Sequence, residues 1–150
     1  MLIILGSNNK TFIMLETIRH DVVITFGTYD LFHIGHLNII NEAQRYGNKL
    51  IVGVSSDELN YKKKGHYPTI NQDDRMKIIS CIRGVHDVFL EESLEEKISY
   101  CKKYNASICI MGDDHKGKFD FLKEHGIEMI YLPRTPLVSS TDIKKEIKNN

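Results

Sequence analysis

Gly27-Thr28-Tyr29-Asp30-Leu31-Phe32-His33-Ile34-Gly35-His36 follows the apolar run Val22-Val23-Ile24-Thr25-Phe26 and leads into Leu37, Ile40 and Ala43 at helical spacing. A short run that is apolar on both faces predicts a buried strand. The strand ends in a glycine-containing turn, and a helix then starts with two imidazoles bracketing Gly35. Free backbone N–H groups and the positive end of the helix dipole collect at such a start, which suits a phosphate. Histidines placed there can donate hydrogen bonds to oxygens that gain charge during a reaction. The stretch predicts an enzyme that handles a nucleoside triphosphate.

Outward from it, further strand-length apolar runs occupy 50–54, 88–90, 107–111 and 127–132. Helical patterns separate them: 37–46 ending at Gly47, 73–83 ending at Gly84, and 119–125 ending at Gly126. Another opens with Ser93-Leu94-Glu95-Glu96, a capping-box arrangement, and carries Leu94, Ile98 and Cys101 on one face. The last covers 140–148, with Ile143 and Ile147 expected inward. Repeated strand–helix units predict an α/β fold, a Rossmann-like doubly wound five-stranded parallel sheet with ligands outside the carboxyl ends of its strands. We expect one domain over 22–150 and an N-terminal extension of unknown role over 1–21. Within the extension, Met1-Leu2-Ile3-Ile4-Leu5 is too short to span a bilayer and suits a peripheral strand or a subunit contact. The segment from Asn60 to Thr69, with Lys62-Lys63-Lys64 and Gly65, reads as a basic mobile loop.

Composition narrows the classes. The 150 residues are 41% hydrophobic and 27% charged, as in an ordinary globular domain. The net charge is zero, so no global field favours nucleic acid or a membrane, and an anion site must be a local gathering of Lys, Arg and His. Cys81, Cys101 and Cys109 are scattered without a Cys-x-x-Cys pair, which reads as reduced core thiols of a cytoplasmic protein. The first strand–helix turn has no Gly-x-Gly-x-x-Gly, which disfavours a dinucleotide-dependent oxidoreductase. His33 and His36 lack a third nitrogen or sulfur ligand at a convincing spacing for zinc.

Placing the strand ends together collects Thr28, Asp30, His33 and His36 after the first, and Ser55, Asp57 and the lysine segment after the second. Gly112, Asp113 and Asp114 follow the fourth; Arg134, Thr135, Ser139, Ser140 and Thr141 follow the fifth. The last three begin a helix and make a second anion site. Gly27-Thr28-Tyr29-Asp30 with His33-Ile34-Gly35-His36 resembles the signature of the cytidylyltransferase family, and Arg134-Thr135-Pro136-Leu137-Val138-Ser139-Ser140-Thr141 resembles its second motif. Within that family, the stretches from Met111 to Lys123 and from Tyr131 to Pro136 are most similar to the branch that acts on glycerol 3-phosphate. Leu94 and His115 stand where that branch carries tryptophan, so the resemblance bears more tightly on the nucleotide than on the acceptor.

The resemblance implies transfer of CMP from CTP to glycerol 3-phosphate or a related polyol phosphate, with Mg²⁺ accompanying CTP and no metal ligand from protein side chains. It also implies a homodimer and a role in cell-surface polymer synthesis. An acceptor phosphate is already a nucleophile at neutral pH, so the site must bring two polyanions together and stabilise charge moving onto pyrophosphate. On that reading His33, His36, Lys64 and Arg134 are the catalytic set. Thr28, Tyr29, Gly35, Asp113, Ser139, Ser140 and Thr141 hold the nucleotide. Asp30, Lys62, Lys63 and Arg75 hold the acceptor. An adenylyl transfer, a different phosphorylated acceptor, and a non-catalytic nucleotide-binding module are the competing functions.

Overall fold

In a computed structural model, the structure describes residues 20–149 together with Ile4–Leu5 and Phe12–Ile13. Strands β1 (Ile4–Leu5) and β2 (Phe12–Ile13) form a separate antiparallel pair, in which Ile4 faces Ile13. Met1, Leu2 and Ile3 of the expected N-terminal contact lie outside the described residues.

The main sheet holds β3 (His20–Gly27), β4 (Gly47–Ser55), β5 (Val85–Glu91), β6 (Ile108–Gly112) and β7 (Glu128–Leu132), all parallel, in the order β5-β4-β3-β6-β7. Its five strands follow the predicted runs: β3, β4 and β5 extend beyond them, β6 is shifted by one residue, and β7 starts one residue later. Alternation within each strand splits the core in two. Val22, Ile24, Phe26, Cys109 and Met111 face one side with Cys101 and Leu122; Val23, Leu50, Val52, Ile108 and Ile110 face the other with Ile40 and Ile79. Strands buried on both faces are what a doubly wound sheet requires. The chain moves from β3 outward to β5, then crosses to the far side of β3 at β6. That reversal opens a crevice at the carboxyl ends of β3 and β6.

The helices are α1 (Ile34–Ala43), α2 (Asp57–Lys64), α3 (Gln72–Ser80), α4 (Lys97–Lys103) and α5 (Ser140–Asn149). Several expectations need correction. The lysine segment is helical: Ser56 caps α2 by accepting from the Leu59 amide, Asp57 and Glu58 occupy its first turn, the lysines its last, and left-handed Gly65 ends it. The first helical stretch does end at Gly47, after a 3₁₀ turn over Gln44–Tyr46, and the same glycine opens β4 in extended conformation; a Cβ there would lie 2.5 Å from Val23 Cγ2, so its missing side chain also serves strand packing. α3 stops at Ser80, short of Gly84. Ser93 does not cap α4; its hydroxyl donates to the Glu95 carboxylate, and the helix starts at Lys97. Residues Asp120–His125 wind as a 3₁₀ helix. Ile147 on α5 is exposed and Ile143 half-buried, because α5 lies along the cleft and packs no face into the core. Cys101 and Cys109 are core residues, while Cys81 is exposed.

Candidate active site

A cleft of about 530 Å³ opens at the crevice between β3 and β6, within the size range of small-molecule sites. Its floor is the turn after β3. Tyr29 and Leu31 there adopt left-handed backbone angles, φ 56° and 47°, which non-glycine residues hold only where the surroundings enforce them. The enforcement is visible at Asp30. Its carboxylate accepts from the amides of Thr69 and Ile70, both at 2.9 Å, and from Lys144 Nζ at 2.8 Å. Its carbonyl accepts from the Ser140 hydroxyl at 2.6 Å.

The two histidines are set by backbone amides. His33 is the N-cap of α1, and its Nδ1 accepts from the Gly35 amide at 3.1 Å. His36 Nδ1 accepts from the His33 amide at 3.3 Å. Each Nδ1 therefore carries no proton, and each neutral ring keeps Nε2–H as its donor. The rings stack with centroids 3.8 Å apart. Burial, then the His33 charge, pushes the His36 imidazole down to about 4, with Lys64 adding to the shift against Asp30. Burial, then Arg134, lowers His33. A Cβ at Gly35 would meet His33 Cε1 at 2.9 Å and Val138 Cγ1 at 3.2 Å, so the glycine permits both the cap and the close approach of the second motif.

That second motif closes the other wall. Arg134, Ser139, Ser140 and Thr141 line the same cleft as His33 and His36, although a hundred residues separate them in the chain. Asn38 Nδ2 donates to the Thr135 hydroxyl at 3.0 Å, tying α1 to the loop before α5. Ser139 caps α5 by accepting from the Asp142 amide at 3.0 Å. Ser140 is engaged by Asp30, so Thr141 and the free amides of the α5 N-terminus are the donors left facing the cleft. Among the described residues, Lys64, Arg134, Lys145 and Lys148 line the cleft with no carboxylate partner, a concentration of positive charge in a chain of zero net charge.

Other expected residues fall differently. Arg75 is fully buried: Nε donates to the Ile70 carbonyl at 2.8 Å, Nη1 to the carbonyls of Thr28 and Ser55 at 2.5 and 2.9 Å, and Nη2 to Asp57 Oδ1 at 2.6 Å. Its donors serve the protein, so it braces the site from beneath and does not clamp a phosphate. The Asp30 carboxylate is likewise occupied by Lys144 and two amides; burial acts to raise it, yet these three partners hold it down to about 2. It cannot freely receive acceptor hydroxyls. Asp114 lines the cleft and Asp113 does not, the reverse of the expectation, because the 3₁₀ turn Asp113–His115 points successive residues in different directions. Of the three lysines, Lys64 lines the cleft, Lys63 Nζ reaches Ser55 Oγ at 3.4 Å, and Lys62 is exposed away from it. Thr28 lines the cleft with its hydroxyl donating to Asn60 Oδ1 at 2.7 Å; Tyr29 is a buried wall.

Sequence reading missed Lys144, and it missed a buried polar chain beside the cleft. Lys97 Nζ donates to Glu91 Oε1 and sits 3.6 Å over the Phe26 ring; the other Glu91 oxygen accepts from Ser55 Oγ at 2.9 Å. Lys97 and Glu91 are each 1% exposed, and nothing in their local sequence distinguishes them from surface charges.

The model of the family described as cytidylyltransferase-like matches residues 24–146. The chain is 46% identical to the glycerol-3-phosphate cytidylyltransferase of Bacillus spizizenii over 127 residues, covering 83% of this chain and 95% of that protein. It is 42% identical to the enzyme of the same name from Bacillus subtilis, with the same coverage. A lipopolysaccharide core biosynthesis protein from Thermoplasma volcanium shares the fold, with a TM-score of 0.65 at 22% identity over 77% of this chain and 97% of that one. With its parallel sheet, its self-capped histidine pair and these relatives, the chain belongs to the cytidylyltransferase-like family.

Proposed function

We propose that the protein transfers CMP from CTP to glycerol 3-phosphate, giving CDP-glycerol and pyrophosphate. One observation supports the reading above others: two helix N-termini, two Nε2–H donors and unpaired cations converge on one cleft from both ends of the chain. The names of the most similar relatives supply the nucleotide and the acceptor.

In this mechanism an oxygen of the acceptor phosphate attacks the α-phosphorus of CTP, and the bond to the β-phosphate oxygen breaks. Negative charge grows on the pyrophosphate. Arg134, Thr141 and the α5 amides receive it, while His33 and His36 donate to the α-phosphoryl oxygens through Nε2. Fixed donors of this kind need no reorganisation as charge develops. Lys64, which lines the cleft, meets the phosphates, whereas Lys63 is directed toward the buried Ser55 hydroxyl. Among the described residues no group of three or more His, Cys, Asp or Glu converges on a cation position, so the donor set fits a Mg²⁺ that arrives on the phosphates of CTP. The ion would neutralise phosphate charge.

The same reading carries a cytoplasmic homodimer whose product feeds cell-surface polymer synthesis. Among the described residues no helix is long and apolar enough to cross a membrane. The test follows pyrophosphate release with CTP or ATP across glycerol, ribitol, erythritol and ethanolamine phosphates. CTP with glycerol 3-phosphate should give the highest kcat/KM. Turnover with ATP alone would contradict the cytidylyl assignment, and CTP binding without turnover of any acceptor would make the protein a binding module.

A further inference from the structure

Helix α5 carries phosphate donors of the proposed site, yet it buries no residue fully. Ile143 is half-buried and Ile147 exposed, so apolar packing gives the helix little hold on the sheet. Two hydrogen bonds fasten it to Asp30 instead. The Ser140 hydroxyl donates to the Asp30 carbonyl at 2.6 Å, and Lys144 Nζ donates to Asp30 Oδ2 at 2.8 Å. Side chains four positions apart are neighbours on one helix face, a turn apart. A single bond would let α5 pivot about it; a second one a turn away also sets the direction and rotation of the helix.

Asp30 is a firm post for this attachment. It is 5% exposed, and its carboxylate also accepts from the Thr69 and Ile70 amides. It stands between Tyr29 and Leu31, both held in left-handed backbone, in the turn that leads into His33 and α1. Lys144 therefore ties the α5 wall of the cleft to the histidine wall. Its side chain lines the cleft, but its ammonium is engaged by Asp30, whereas those of Lys145 and Lys148 have no carboxylate partner among the described residues. Donors stabilise developing charge without reorganisation only while their own support is rigid.

We propose that Lys144 is a positioning residue: bonded to Asp30, it holds the N-terminal donors of α5, Thr141 among them, at a fixed spacing from the imidazoles of α1. The proposal rests on the cytidylyl transfer above and names the contact that keeps the two walls of its site in register.

The experiment compares the wild type, Lys144→Met and Lys144→Arg. It reads steady-state kinetics with CTP and glycerol 3-phosphate, CTP binding by calorimetry, and amide hydrogen exchange without ligand. Met keeps an unbranched apolar stem and removes the ammonium, whereas Arg keeps the charge and the donors. Lys144→Met should lower kcat about 10–100-fold, the scale of a slightly misplaced catalytic group. The Kd for CTP should move less than about threefold, because the support lost matters most in the transition state. Backbone amides 144–148 should exchange about tenfold faster, the worth of one hydrogen bond to a charged group, with those of β6 unchanged. Lys144→Arg should recover most of both losses. Weaker CTP binding with kcat intact would make Lys144 a phosphate ligand and overturn the positioning role. Unchanged α5 exchange, or equally faster exchange in β6, would overturn it too, while leaving the transfer reaction standing. A wild type that binds CTP and releases no pyrophosphate would overturn the underlying reaction and the catalytic consequence with it.

Discussion

Arg75 and Arg134 are the same side chain in opposite circumstances. Arg75 is fully buried, and its guanidinium meets four protein acceptors drawn from the β3 turn, the end of β4, the start of α2 and the approach to α3. Arg134 is exposed in the cleft and has no carboxylate partner among the described residues. In the sequence both stand beside candidate phosphate-binding segments and read as clamps. The difference lies in who uses the donors. A guanidinium whose forks are filled by carbonyls holds the walls apart at a fixed spacing; one left unpaired at a cleft is available to a ligand.

The contrast breaks most sharply on stability. Arg75→Met should cost about 3–5 kcal/mol in urea unfolding, since it removes a buried guanidinium's donors from the Asp57 carboxylate and from the carbonyls of Thr28, Ser55 and Ile70. Arg134→Met should stay within about 0.5 kcal/mol of wild type, as exposed substitutions generally do. Comparable losses from both would erase the distinction.

Activity should invert the order. Arg134→Met and His36→Ala should each lower kcat about 10²–10³-fold in a stopped assay for pyrophosphate, the usual worth of a fixed donor to developing charge. Arg134→Met should also raise the His33 titration midpoint, readable by NMR, because Arg134 helps hold that ring neutral. An unmoved midpoint would separate the two walls of the cleft.

The smallest effect is on pH dependence. His36 is held down to about 4 in the folded protein, against about 6.5 when unfolded. Between these values the unfolded chain binds more protons, so stability rises with pH from about 4 to about 6.5 and this group contributes no further slope above that. Asp30, lowered to about 2, acts with the same sign in a more acidic window. Thermal melts without nucleotide should climb a few degrees from pH 4.5 to pH 7. His36→Asn should flatten part of that climb.

The sheet was readable because its strands, apolar on both faces, are separated by short amphipathic stretches. The histidine turn and the Arg134 motif were readable because each is local. What escaped depends on long-range or subtle geometry. The partners of Arg75 span residues 28 to 70, and Asp30 meets Lys144 across 114 positions, so neither was visible in a window of sequence. Helix α2 lacked an apolar stripe because it buries only Leu59 and Asn60, leaves Asp57 half-buried and exposes Glu58 and residues 61–64. Its Ser56 cap, acidic first turn, basic last turn and Gly65 were signals that could have identified it. Asp113 and Asp114 differ by one residue in a 3₁₀ turn, a distinction that sequence periodicity does not resolve.

The central claim is that imidazoles from α1 and donors from the α5 segment share one triphosphate. A crystal structure with bound CTP tests it directly. The account predicts the α-phosphoryl oxygens within hydrogen-bond reach of His33 or His36 Nε2, and the β- and γ-phosphates on Arg134 and the α5 amides of the same molecule. A nucleotide that touches one wall alone, or lies outside the β3–β6 crevice, would contradict it.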